Sequence, residues 1–131
     1  MPKILVIDDD PMVRFTLSRM LQKGGYAVHL AEDGLAGLRS FRNLKPDVVI
    51  TDLVMPVKEG LDTIRLLREW DPEAEIIAIS GGARLANKDL LSEAAVLGAA
   101  SVIAKPFEPE ELLAAVARCL QASDAAVQID C

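Results

Sequence analysis

Five side chains with chemical capacity stand where apolar runs stop. Asp8 and Asp9 follow KILVI, Asp52 ends DVVITD, Ser80 ends EIIAIS, and Lys105 follows SVIA. Three carboxylates gathered within a few ångströms repel one another and must either protonate or recruit a cation. A hard divalent ion such as Mg²⁺, which prefers oxygen ligands, keeps several waters and is often completed by a phosphate oxygen, suits Asp8, Asp9 and Asp52. An aspartate can also be the nucleophile itself and form an aspartyl phosphate. Lys105 would then balance charge on the phosphoryl oxygens while the Ser80 hydroxyl donates a hydrogen bond to them. Taken singly, each residue has a plainer reading as a cap, a turn residue or a solvated charge. Asp52 is the exception, because the next helix is expected near Glu59, too far away for Asp52 to cap it.

The elements that would gather these residues follow from the pattern of apolar positions. Val48, Val49 and Ile50 form an unalternating β-branched run, which predicts a strand buried on both faces, and Lys3–Asp8 and Glu75–Ser80 read the same way. Tyr26–Ala31 and Ser101–Ala104 are shorter strands. Between them lie helical stripes: Val13, Leu17, Met20 and Leu21, with Asp10 as N-cap, Pro11 at the first helical position and Gly24-Gly25 at the end. The next are Leu35, Leu38 and Phe41 after Asp33-Gly34, halted by Pro46, and then Leu61, Ile64 and Leu67 in a helix from Glu59 to Trp70. A further helix is expected from about Leu85 to Gly98, and a last one from Glu108 to Leu120 with Leu112, Leu113, Val116 and Leu120 inward. Five strands alternating with five helices predict a parallel sheet covered on both faces. Right-handed crossovers then bring every strand's carboxyl end to one edge, the edge that carries Asp8, Asp9, Asp52, Ser80 and Lys105.

The 131 residues suit one compact domain, expected over 1–122 with a tail over 123–131. A net charge of −6 with scattered Lys and Arg argues against direct nucleic-acid binding. The two cysteines, Cys119 and Cys131, show neither pairing nor metal spacing, and no apolar stretch is long enough to span a membrane. A reduced, cytoplasmic setting is therefore expected. His29, the single histidine, is assigned no role. Met1, just ahead of the first strand, reads as a natural start, so any further domain would follow Cys131.

The motifs VIDDD, TDLVMP with Gly60 beyond it, AISGG and AKPF together resemble the response-regulator receiver domain of bacterial two-component signalling, over Lys3 to about Leu120. The resemblance implies the flavodoxin-like fold, a doubly wound five-stranded sheet of order 2-1-3-4-5 in three α/β/α layers. It implies Asp52 as phospho-acceptor, Asp8 and Asp9 with Asp52 and the Val54 carbonyl as ligands of Mg²⁺, Ser80 as the switch hydroxyl and Lys105 as the conserved-type lysine, with a cis bond before Pro106. The implied partners are a histidine kinase or phosphotransfer protein and a downstream effector, for a monomer or weak dimer without enzymatic activity beyond its own phosphorylation and dephosphorylation. Val102 stands where the family usually has the aromatic half of its switch, and Val54 and Gly82 lack side chains able to position a hydrolytic water. Lys58-Glu59 also departs from the usual loop.

Three other readings fit less well. A flavodoxin needs a hydroxyl- and glycine-rich phosphate loop where Asp8-Asp9-Asp10 stands. An aspartate-nucleophile phosphatase needs a hydroxyl after its first-strand acids, and Asp10-Pro11-Met12 lacks one. A helix-loop-helix calcium site needs alternating acids around a glycine. A receiver-like module that relays phosphate or binds without phosphorylation is the remaining alternative.

Overall fold

The computed structural model describes residues 1–52, 57–80, 98–104 and 107–130, and for 57–61, 80, 104 and 122–130 the backbone alone. The described elements are β1 (Lys3–Ile7), α1 (Pro11–Lys23), β2 (Ala27–Ala31), α2 (Gly34–Leu44), β3 (Val48–Asp52), α3 (Val57–Trp70), β4 (Ile76–Ser80), β5 (Ser101–Ala104) and α4 (Pro109–Asp130). The strands form one sheet, parallel as the alternation predicts and in the order β2-β1-β3-β4-β5 that the resemblance implies. The helix expected from about Leu85 lies outside the described residues.

Each strand divides its side chains between two cores, as the period-two geometry of a strand requires. Ile4, Val6, Val48, Ile50, Ile77 and Ile79 pack against Leu17 and Leu21 of α1 and Leu112, Ala115, Val116 and Cys119 of α4. Leu5, Ile7, Val49, Ile76 and Ala78 pack on the other side against Phe41 of α2 and Ile64 and Leu67 of α3. The central strands are therefore apolar on both faces, while β2 at the edge is only partly covered.

Local signals set several boundaries as expected. Asp10 is extended and its carboxylate accepts the Met12 N–H at 2.9 Å, so it caps α1 ahead of Pro11. Asp33 does the same for α2, accepting the Ala36 N–H at 2.8 Å.

Three boundaries or faces differ from the sequence reading. Helix α3 begins at Val57, two residues before Glu59. Helix α4 continues to Asp130 rather than ending at Leu120; its Ala-rich stretch contains neither Gly nor Pro, so nothing local stops it. Leu35 of α2 is largely exposed, while Leu38 and Phe41 pack inward as expected, joined by Gly34 and Gly37. A Cβ on Gly37 would stand 2.4 Å from Ile7 Cδ1, so α2 approaches β1 through a glycine and turns Leu35 outward.

Candidate functional site

The strand register builds the carboxyl edge of the sheet. Ile7 pairs with Thr51, Asp52 with Ile79 and Ser80 with Ala104, so Asp8, Asp52 and Ser80 stand at neighbouring strand ends. Asp52 continues the Val48–Ile50 series and therefore faces the α1 side of the sheet. Asp8 is 1% exposed and Asp52 4%, whereas Asp9 is exposed. Two carboxylates are thus withdrawn from water on adjacent strands, and a third lies at the rim.

The loop that carries Asp8 and Asp9 is held by a chain of hydrogen bonds. The Asp8 N–H donates to the Ala31 carbonyl at 3.1 Å, tying the end of β1 to β2. One carboxylate oxygen of Asp8, Oδ1, accepts the Asp10 N–H at 2.8 Å. The Asp8 carbonyl accepts a hydrogen bond from Arg14 Nη1 at 2.7 Å. The Arg14 N–H in turn donates to the Asp10 carbonyl at 3.0 Å, the first turn of α1. Arg14 is the residue at this edge that the sequence reading passed over. Its signal was its position four residues after the N-cap, from which a helical side chain leans back toward the amino terminus.

Among the expected site residues, the described structure brings Asp8 and Asp52 together, with Asp9 beside them and the Ser80 backbone at the next strand end. Val54, Lys105 and the Ser80 hydroxyl lie outside the described residues, as do Gly82 and the Lys105-Pro106 bond. Val102 is exposed on β5. Among the described residues no three His, Cys, Asp or Glu side chains are gathered as a ready metal cage. Buried carboxylates at adjacent strand ends nevertheless form a donor set for a hard cation that takes one or two protein carboxylates and keeps its waters. The residues present fit Mg²⁺ in that sense. Among the described residues no helix is long and apolar enough to cross a membrane.

A five-stranded parallel sheet of order 2-1-3-4-5, with buried acids at the ends of its first and third strands, defines an α/β domain whose reactive crevice lies beyond the strands' carboxyl ends. The model of the response regulator receiver domain matches residues 4–117, and the chain belongs to that family, the phospho-accepting module of two-component signalling. It is 39% identical over 115 residues to response regulator MprA of Mycobacterium sp. (strain KMS), covering 86% of this chain and 47% of that protein. The chain thus spans about half the length of such relatives. Chemotaxis protein CheY of Thermotoga maritima is 33% identical over 115 residues and is covered over 93% of its length, against 87% of this chain. The crystal structure of a response regulator receiver domain protein from Clostridium thermocellum superposes with a TM-score of 0.89 at 29% identity, covering 96% of this chain and 99% of that one.

Proposed function

We propose that this chain takes a phosphoryl group onto Asp52 from a phosphohistidine on a sensor kinase or phosphotransfer protein, and that the modified domain changes its contacts with a downstream protein. The observation that carries the reading is the burial of Asp52 at the end of β3, one strand from the equally buried Asp8. An Asp52 carboxylate oxygen forms the new P–O bond as the P–N bond to the donor imidazole breaks, and the imidazole leaves with a proton. Asp8 and Asp9, with Asp52 and the Val54 carbonyl, are the ligands for Mg²⁺, which when bound offsets the carboxylates' mutual repulsion and the charge on the phosphoryl oxygens. Ser80 and Lys105 are assigned to those same oxygens as hydrogen-bond donor and counter-charge. The chemistry is self-modification and its reversal, without turnover of a separate substrate. The cytoplasmic setting of histidine kinases and effectors is the one its acidic surface and unpaired cysteine spacing suit, as a monomer or weak dimer.

Incubation with a small-molecule acyl phosphate and Mg²⁺ should add one base-labile phosphoryl group by intact mass, and Asp52→Asn should remove it. Full labelling of the Asn variant would refute Asp52 as acceptor. Switching is tested by NMR with a phosphate mimic. Shifts should spread over Ser80–Leu91 and Val102–Lys105 and collapse in Ser80→Ala, whereas shifts confined to the acidic edge would favour a phosphate relay.

A further inference from the structure

We infer that Arg14 is a positioning residue for the metal-binding loop, acting through the Asp8 carbonyl rather than as a counter-ion to the acids. The inference rests on the reading of Asp8, Asp9 and Asp52 as a Mg²⁺ site. A guanidinium next to three consecutive aspartates would be expected to sit on a carboxylate, where charge-assisted pairing is strongest. Arg14 does not. Its half-buried guanidinium donates to the Asp8 main-chain oxygen at 2.7 Å, and among the described residues no ion pair joins it to Asp8, Asp9 or Asp10.

The consequence lies in the Asp8-Asp9 peptide. Asp8 is held on its amino side by its N–H on Ala31 and through its carboxylate by the Asp10 N–H. On its carboxyl side the Arg14 contact is the hydrogen bond that fixes the carbonyl. A peptide group is planar, so fixing the Asp8 carbonyl also fixes the direction in which the chain enters Asp9. Asp9 itself is exposed and its carboxylate accepts no hydrogen bond from the described residues, so among these the flanking peptides orient it. Arg14 therefore holds one site carboxylate, Asp9, in place relative to another, Asp8. Partners that orient ligands in this way typically change metal affinity by about 10-fold or more when removed.

Charge and positioning predict opposite signs, which makes the test decisive. Removing a cation beside a Mg²⁺ site should tighten binding if Arg14 acts only through its field, and weaken it if Arg14 orients the loop. Mg²⁺ titrations of the full chain followed by ¹⁵N–¹H NMR should show a Kd about 10-fold higher for Arg14→Met than for the wild type. Arg14→Lys, which keeps a donor of similar reach, should recover most of the loss. Amide exchange at Asp9 and Asp10 should quicken in Arg14→Met without Mg²⁺, while exchange in the central strands stays as in the wild type. If the Met variant does not fold, Arg14→Gln, too short to reach the Asp8 carbonyl, carries the same expectation. An unchanged or lower Kd would overturn the inference while leaving the site in place. A wild type that shows no Mg²⁺-dependent shifts at Asp8, Asp9 and Asp52 would sink the site reading itself, and this inference with it.

Discussion

At the carboxyl edge of the sheet, Asp8, Thr51 and Asp52 are withdrawn from water at adjacent strand ends, and Thr51 Oγ1 finds no hydrogen-bond partner among the described residues. At the amino edge, similar residue types are used mainly on backbone groups, mostly at or near solvent, with Arg68 Nε buried and without a hydrogen-bond partner among the described residues. The Lys3 N–H donates to Asp47 Oδ2 at 2.7 Å and its Nζ to the Leu44 carbonyl at 3.1 Å. Arg68 reaches from α3 to the Pro72 carbonyl at 2.6 Å and to the Gly98 carbonyl ahead of β5. Lys45 takes a left-handed conformation, φ 51°, so that its N–H closes α2 on Phe41, and Arg42 lies 5.1 Å from the Trp70 ring centre. Polar groups at the amino edge hold the chain ends of the strands in place. Those at the carboxyl edge are instead withdrawn from water, where burying a polar or charged group is costly.

If that division is right, substitutions at the two edges should separate function from stability. The largest effect is expected at Asp52→Asn, which should bring phosphoryl labelling to background while costing less than about 1 kcal/mol in urea unfolding, because the amide keeps the size of the side chain and its capacity to hydrogen-bond. A stability loss beyond about 3 kcal/mol would place Asp52 among the structural pairs instead. Arg68→Ala should do the reverse, lowering stability by about 2 kcal/mol through two lost carbonyl contacts, discounted for partial exposure, with labelling intact. Thr51→Val, nearly equal in shape, should raise stability by about 1 kcal/mol by removing a buried hydroxyl without a described partner; a loss would show that the hydroxyl is satisfied.

Smaller effects divide the acidic triplet and the C-terminal helix. Asp10→Ala should cost about 1 kcal/mol as a lost cap and leave Mg²⁺ affinity near the wild-type value, while Asp9→Ala should weaken Mg²⁺ binding at little cost in stability. Stronger Mg²⁺ loss in the Asp10 variant would reverse that assignment. Cys119 is buried on the inner face of α4, and burial first, then the Glu75 carboxylate, push its thiol up to about 11 from an ordinary 9.0. The unfolded chain then releases the proton at lower pH than the folded one. The thiol's contribution to stability is thus complete below pH 9 and falls between pH 9 and about 11. Denaturation curves across that window should be flatter with pH in Cys119→Ala.

The local sequence determined the elements that depend on neighbours a few residues apart. The runs at Ile4–Ile7, Val48–Ile50 and Ile76–Ile79 are buried strands because β-branched and aliphatic side chains leave no polar face to solvate. Asp10-Pro11 and Asp33-Gly34 start helices through contacts of two and three residues, which a linear reading captures. The alternation of strands and helices was likewise sufficient for the sheet and for the edge on which the acids fall.

Tertiary packing decided what local pattern could not. Leu35 matched the helical period of its neighbours, yet it faces out because Ile7 occupies the space that any side chain at position 37 would need, and only the approach of α2 to β1 reveals that. The burial of Asp8 and Asp52 comes from strand pairing across 44 residues of sequence, not from their own neighbours. Arg14 drew no notice in the sequence, and only the placement of the first turn of α1 over the loop before it brings its guanidinium to the Asp8 carbonyl. Residue type and spacing were enough to propose which groups do the chemistry, because those groups sit at strand ends. Which residue holds them still depended on close three-dimensional contact, since a main-chain carbonyl carries no mark in the sequence.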